Sequence, residues 1–322
     1  MMQKEKEKAI EDKGCTGGVL KVWLNGRMLD ADEAKVSIFD AGIQHGVGLF
    51  ETISVRGGRI YRLEDHLKRL EKSAKELRLA DVLRTGLLGE AVAVAVEESG
   101  LGEARVRLTL TGGDLNLLKR GKTPGEGEGG GDRSISPTIF VVVQPATVYP
   151  EAFFGRGVRV LVADGRLNPF DVTAGHKTVN YWLRLRALQD AAGKECAEAI
   201  WLSVSNHVMS GSVSNLFAVV RGGKELVTPI AHGEEVKGGL PMPVLPGITR
   251  KRVIYFAEES GMEVTARMMD ISDVLNAEEV FLTNSSWGIL PVVAVEGKEI
   301  GVGTVGEVAK AMRAKWLWDW AG

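Results

Sequence analysis

The chain has 322 residues, 44% of them hydrophobic and 25% charged, with a formal net charge of −2. That length favours two domains with ample core, and the near-neutral balance offers no basic field for nucleic acid or an anionic membrane. Two cysteines, Cys15 and Cys196, make no disulfide framework, and the five histidines show no metal-ligand spacing, so no metal centre is expected and a reducing cytoplasm is the default.

Residues 1–18 are a mixed-charge run, read as a frayed tail rather than a signal or transit segment. The longest apolar runs, at 91–96 and 139–143, are too short to span a bilayer. Residues 19–30 alternate up to Asn25-Gly26 and predict a hairpin; a second hairpin is expected over 49–63, turning at Gly57-Gly58. A helix follows over 64–79, with Leu63, Leu67, Leu70, Ala74 and Leu77 as one apolar stripe and Arg69 at its border. A helix at about 86–99 and strands over 104–112 and 138–144 complete a first α/β domain, 19–143. Its Gly-rich loop at 113–134 is either a functional lid or without order.

Residues 144–157 read as a linker, and 158–322 as a second, larger domain that opens with a strand over 158–163. In "DVTAGHKTVNYW", Lys177 sits beside His176, where the chain turns into an amphipathic helix with Tyr181, Leu185, Leu188 and Ala192 on one stripe. A helix start disfavours a cation. Lys177 is therefore either a solvated side chain or a pocket lysine of lowered pKa, ready to form a Schiff base. Two strands are expected around a turn at Ser205-Asn206, then a Pro/Gly loop over 228–247. "LPGITR" (245–250) turns into a helix whose first N–H groups, dipole and Thr249 hydroxyl form either an anion site or an ordinary capped terminus. The turn "TNSSWG" (283–288) carries hydroxyls suited to phosphate or carboxylate. No Walker pattern is present.

Eight segments in order, "VWLNG", "SIFDAGIQHGVGLFET", "EDHLKRLEKSA", "RVRLTLT", "HKTVNYW", "GSVSNLF", "LPGITR" and "TNSSWGILPV", resemble the class IV aminotransferases. That group comprises the pyridoxal-phosphate enzymes of fold type IV, including branched-chain and D-amino-acid aminotransferases and 4-amino-4-deoxychorismate lyases. The resemblance implies a two-domain α/β (α+β) fold, pyridoxal 5'-phosphate as cofactor, small amino-acid and 2-oxo-acid substrates, and a homodimer. It implies Lys177 as the Schiff-base lysine and proton shuttle. Arg69, Gly247, Ile248, Thr249 and Ser285 would hold the phosphate, with Tyr181, Ser210, Ser214 and Asn215 also facing the cofactor. His45, Phe50, Thr52, Arg107 and Ser286 fall where relatives meet substrate, and Lys119, Arg120 and Arg133 are further carboxylate contacts in the long loop. The activity implied is amino transfer by a ping-pong cycle. A lyase that releases pyruvate and 4-aminobenzoate, or a catalytically degenerate homologue, are the alternatives.

The sequence departs from the family pattern at one chemically important place. Most relatives carry a glutamate just before the glycine of the "GSVSNLF" segment, where it keeps the cofactor's ring nitrogen protonated; here the residue is Ser210. A serine cannot hold a pyridinium proton electrostatically, and Glu198 or Asp164 are the acids that could take its place. Asn180, three residues after Lys177, matches the spacing of the D-amino-acid and lyase branches.

Overall fold

In the computed structural model, described for residues 20–114, 137–235 and 241–320, Asn25 (φ 45°) and Gly26 (φ 91°) adopt the left-handed geometry of a two-residue hairpin turn. They fold β1 (Lys21–Leu24) back on β2 (Arg27–Asp30). After helix α1 (Ala41–His45) come β3 (Gly48–Arg56) and β4 (Arg59–Ile60), helices α2 (Leu63–Glu76) and α3 (Thr85–Ser99), then β5 (Ala104–Thr111) and β6 (Ile139–Pro145). These strands make one antiparallel sheet in the order β2-β1-β6-β5-β3-β4. The stripe read on α2 is real: Leu67, Leu70 and Ala74 bury against Ile53, Val106 and Leu108, with Leu88, Val92 and Val96 of α3 beside them. The Lys119, Arg120 and Arg133 candidates lie outside the described residues.

The stretch expected as a linker is partly regular. β6 continues to Pro145, and a short helix, α4 (Glu151–Gly155), precedes β7 (Val158–Leu167). The second sheet then gathers β8 (Glu198–Ser203), β9 (Val208–Gly211), β10 (Asn215–Val220), β11 (Glu225–Thr228), β12 (Glu263–Ala266), β13 (Glu279–Asn284), β14 (Gly288–Val295) and β15 (Lys298–Glu299). Its order is β12-β11-β10-β13-β14-β7-β8-β9, with β15 on β14. The pairs β14–β7, β7–β8 and β11–β12 are parallel, so the sheet is mixed. Helices α5 (Trp182–Gly193), α6 (Ile248–Glu259), α7 (Ile271–Leu275) and α8 (Glu307–Asp319) accompany it.

Two expectations about the lysine segment need correction. Lys177 does not open a helix. Its carbonyl accepts from the Phe50 amide at 2.9 Å, and the Val179 amide donates to Gly48 at 3.0 Å, so the segment lies as an extended bridge on β3 and α5 begins five residues later. On α5 the buried positions are Ala187 and Ala191, packed against Trp201. Leu185 of the expected stripe is exposed. Small side chains let the helix lie close to the sheet, and that selected a face that counting apolar residues did not.

The two halves are also joined at α8. Asp319 accepts hydrogen bonds from Tyr61 (2.7 Å), Arg62 (3.0 Å) and Arg252 (2.7 Å). Trp316 and Trp320 are buried beside it while Trp318 faces solvent, and Tyr61 stacks on Trp320 at 4.5 Å. Among the described residues no helix is long and apolar enough to cross a membrane.

Candidate active site

A cavity of about 280 Å³ opens between the two sheets, with Lys177 in its wall. β3 supplies Phe50 and Thr52, and β5 supplies Arg105 and Arg107; the antiparallel register sets Thr52 opposite Arg107. The Lys177 ammonium lies 4.4 Å from the centre of the Phe50 ring and 5.6 Å from that of Tyr181. Burial pushes the Lys177 pKa below the usual lysine value, and the Arg69 charge adds to the effect. A lysine with less tendency to hold a proton is a better nucleophile at neutral pH.

Arg69 projects from α2 into the same cavity, held from behind. Its Nε and Nη2 donate to the two oxygens of Glu51 at 2.9 and 2.6 Å, and Nη1 donates to the Pro246 carbonyl at 3.0 Å. Burial alone would raise the Glu51 pKa; the Arg69 charge and the hydrogen bond from His66 overcome it and hold the group at about 2. Glu51 is 1% exposed. It is the one acid in β3, which was its only signal in the sequence.

Beyond Arg69 lies the start of α6. Its N-cap is Gly247, with no side-chain hydrogen bond to the first turn. A Cβ at Gly247 would fall 2.0 Å from Asn215 Oδ1, so only glycine permits this close approach. Asn215 itself does not line the cavity; its side-chain amide donates to the Leu245 carbonyl at 2.8 Å and braces the turn. Thr249 is 2% exposed, and among the described residues its hydroxyl has no hydrogen-bond partner; the buried Thr283 hydroxyl and Trp287 indole N–H are likewise unpartnered among them. All three residues line the cavity, together with Ser285 and Ser286. Unpaired buried donors cost stability, so this end of the cavity is built for a polar occupant.

The opposite wall is different. Behind Lys177 a smaller recess is lined by His176, Tyr181, Arg184, Ser210 and Ser214. Arg184, which no sequence pattern singled out, donates to the carbonyls of Gly211 and Ser212, each at 3.1 Å, and lies 3.5 Å from the Ser210 hydroxyl. Glu198 is fully buried beneath this turn. It accepts from the amides of Ala199 (2.9 Å), Ser212 (3.1 Å) and Val213 (3.1 Å) and from the Ser214 hydroxyl (3.0 Å). Those bonds commit its oxygens to the turn, and burial raises its pKa. Asp164 is exposed on β7. Neither acid lines the recess beside Ser210. His45, the other expected pocket residue, is exposed at the end of α1 and is not in the cavity wall.

The pattern of the class IV amino-transferases matches residues 48–295. A putative branched-chain-amino-acid aminotransferase of Methanocaldococcus jannaschii is 31% identical over 92% of this chain and 95% of its own. The solved branched-chain amino acid aminotransferase of Escherichia coli superposes with a TM-score of 0.80 at 26% identity, covering 94% of each chain. The 4-amino-4-deoxychorismate lyase of Pseudomonas aeruginosa superposes with a TM-score of 0.73 at 29% identity, covering 92% of this chain and 98% of that one. The chain belongs to the class IV aminotransferases. It is an enzyme of the pyridoxal-phosphate fold type IV, and the residues present fit that cofactor. A cation, an uncapped helix start and an orphaned hydroxyl line one cavity, an arrangement suited to a phosphate, and a lysine of lowered pKa lines it with them.

Proposed function

We propose that the protein moves an amino group between an amino acid and a 2-oxo acid, with Lys177 as the residue that bonds the cofactor. The observation that carries this reading is the deprotonation-prone Lys177 ammonium in one cavity with the unpartnered Thr249 hydroxyl. Bound there, pyridoxal phosphate supplies an electrophilic carbon for the amino group and a ring that takes up electrons. Arg69, the amides of Ile248 and Thr249, the Thr249 hydroxyl and Ser285 hold its phosphate. Gly247 lets the backbone approach. Lys177 would bond the cofactor through its amine and would carry the proton at the substrate carbon. Tyr181, edge-on to Phe50 at 5.3 Å, and Ser210 would contact the cofactor, while Ser214 and Asn215 would act through the turns they brace. Arg107 stacks 3.7 Å from the Phe50 ring and, with Ser286, meets the substrate carboxylate; Phe50 and Thr52 bound its side chain.

The same reading makes the enzyme a cytoplasmic homodimer of two-domain chains, divided at 144–157. Exposed apolar residues support the dimer. Ile38, Phe39 and Ile43 are 63–72% exposed, and Phe170, Val172, Trp182 and Leu183 are 60–79% exposed. They flank the α1 and lysine segments, where the active site opens.

Borohydride reduction tests the lysine: a pyridoxyl mass should appear on the peptide containing Lys177, and a label on another lysine refutes the assignment. A panel of amino donors with 2-oxo-acid acceptors tests the reaction. Keto acid formed only in the presence of an acceptor means transamination. Acceptor-independent pyruvate from aminodeoxychorismate means the lyase reading, which Ser210 favours.

A further inference from the structure

Sequence spacing gave no sign of a metal site, because the residues concerned are far apart in the chain. The fold brings them together. Glu76 ends α2, His176 immediately precedes Lys177, and His232 lies in the loop after β11. One potential ligand atom from each lies within 4.8 Å of the others. His232 Nε2 is 2.9 Å from Glu76 Oε2, and His176 Nε2 is 3.7 Å from the same oxygen. The two imidazoles meet edge to face at 4.8 Å. Their approach depends on Gly175 (φ 80°), where a Cβ would lie 2.5 Å from the His232 Cβ.

Both rings are oriented from behind. His176 Nδ1 is 2.9 Å from the Ser73 hydroxyl, one helical turn before Glu76. His232 Nδ1 faces the Glu235 carboxylate at 4.0 Å. Oxygen partners on Nδ1 leave Nε2 as the ligating nitrogen, the arrangement by which outer partners fix the tautomer of metal-bound histidines. With Nδ1 carrying the proton, two nitrogen lone pairs and a carboxylate converge on one point, and only a cation satisfies all three. In the metal-free protein a proton on His232 Nε2 fills that role for one pair. Lys72 Nζ lies 3.8 Å from the other Glu76 oxygen, leaving Oε2 to the imidazoles.

We propose that Glu76, His176 and His232 bind a divalent transition metal of the zinc class, with water completing a tetrahedral shell. Two imidazoles and one carboxylate suit zinc over magnesium or calcium, which prefer all-oxygen shells. Bond lengths of about 2.0–2.2 Å place tetrahedral ligand atoms roughly 3.3–3.5 Å apart, so closure needs side-chain adjustments of about an ångström. The metal would tie α2, which carries Arg69, to the segment that carries Lys177 and to the loop after β11. It would therefore act on the mobility of the site and not on its chemistry. The proposal is independent of the transamination reading.

The test is equilibrium dialysis of the purified holoenzyme against buffered zinc, followed by metal analysis. Wild type and His207→Ala, which removes a histidine outside the cluster, should each retain one zinc per chain in addition to any held by surface groups. His232→Ala and Glu76→Gln should each weaken that site by ~tenfold or more, and zinc should raise the thermal midpoint of wild type but of neither variant. Circular dichroism checks folding, and Glu76→Gln serves where His232→Ala does not fold. Zinc uptake equal in wild type and Glu76→Gln, or none in wild type, overturns the proposal; in the second case the cluster holds a proton only.

Discussion

The two walls of the active-site cavity are built on opposite electrostatic plans. At the α6 end a cation, a helix start and an unpartnered hydroxyl converge, and a buried carboxylate, Glu51, holds the cation in place. At the 210–214 end an arginine lies beside Ser210, where the family resemblance implies an acid, and the Glu198 carboxylate is bonded beneath the turn. On the proposed function, the first wall would keep a dianion whatever the reaction, and the second would decide which electron flow the cofactor favours. Family membership is carried by the first wall and the individuality of this enzyme by the second.

Lys177, which faces both walls, should give the largest effect. Lys177→Ala should lower turnover by at least about a hundredfold and abolish borohydride labelling. Steady turnover in the variant would remove the residue from the mechanism. Next is the first wall. Arg69→Ala should weaken pyridoxal-phosphate affinity by about 1.5–3 kcal/mol, measured by equilibrium dialysis, with a smaller effect on saturated turnover because the phosphate contact is uniform binding. Unchanged affinity would place the phosphate elsewhere.

The same wall carries a pH signature. Glu51 has its folded pKa lowered to about 2 from 4.5. Its contribution to stability is therefore complete above the unfolded value and is lost as pH falls through that interval towards the folded one. Thermal midpoints from pH 6 to 2 should fall more steeply in wild type than in Glu51→Gln below about pH 4.5; parallel curves would contradict the pairing.

The second wall should respond in the opposite direction, by gain. Ser210→Glu, once shown to bind cofactor normally, should raise the half-reaction rate with a simple amino acid by roughly tenfold, the equivalent of one pKa unit. Arg184, 3.5 Å from the present hydroxyl, will compete for the new carboxylate. Adding Arg184→Gln should release the remainder of the gain, and no change in either variant defeats the electrostatic reading. The smallest effect belongs to Thr249→Val. Removing an unpartnered buried hydroxyl should leave the cofactor-free protein as stable or slightly more so, yet cost about 1 kcal/mol of cofactor affinity. Losses in both measurements would mean the hydroxyl is already bonded without cofactor.

Much of the first wall was legible in sequence because it rests on local rules. Arg69 lies on a helix with a plain 3.6-residue stripe, and Thr249 follows a Pro-Gly turn into a helix. Glu51 and Arg184 were not legible, since their meaning depends on which elements approach them. Strand alternation fails on β3, where most positions are buried on both faces. Arg184 gains its role only because α5 lies over the 211–214 turn. The α5 stripe was misread for a related reason: two alanines under Trp201 define the buried face, and alanine gives little periodic signal. His176 and His232 are separated by more sequence than any spacing rule spans.

The contacts made by Asp319 have a consequence for how the protein is made. Its partners Tyr61 and Arg62 precede it by 258 and 257 residues. During synthesis the first sheet can form around its own core as soon as β6 has emerged. Its clamp onto the second half must wait until α8 has cleared the ribosome. Until α8 has emerged, the cavity between the halves therefore lacks one of its fastenings.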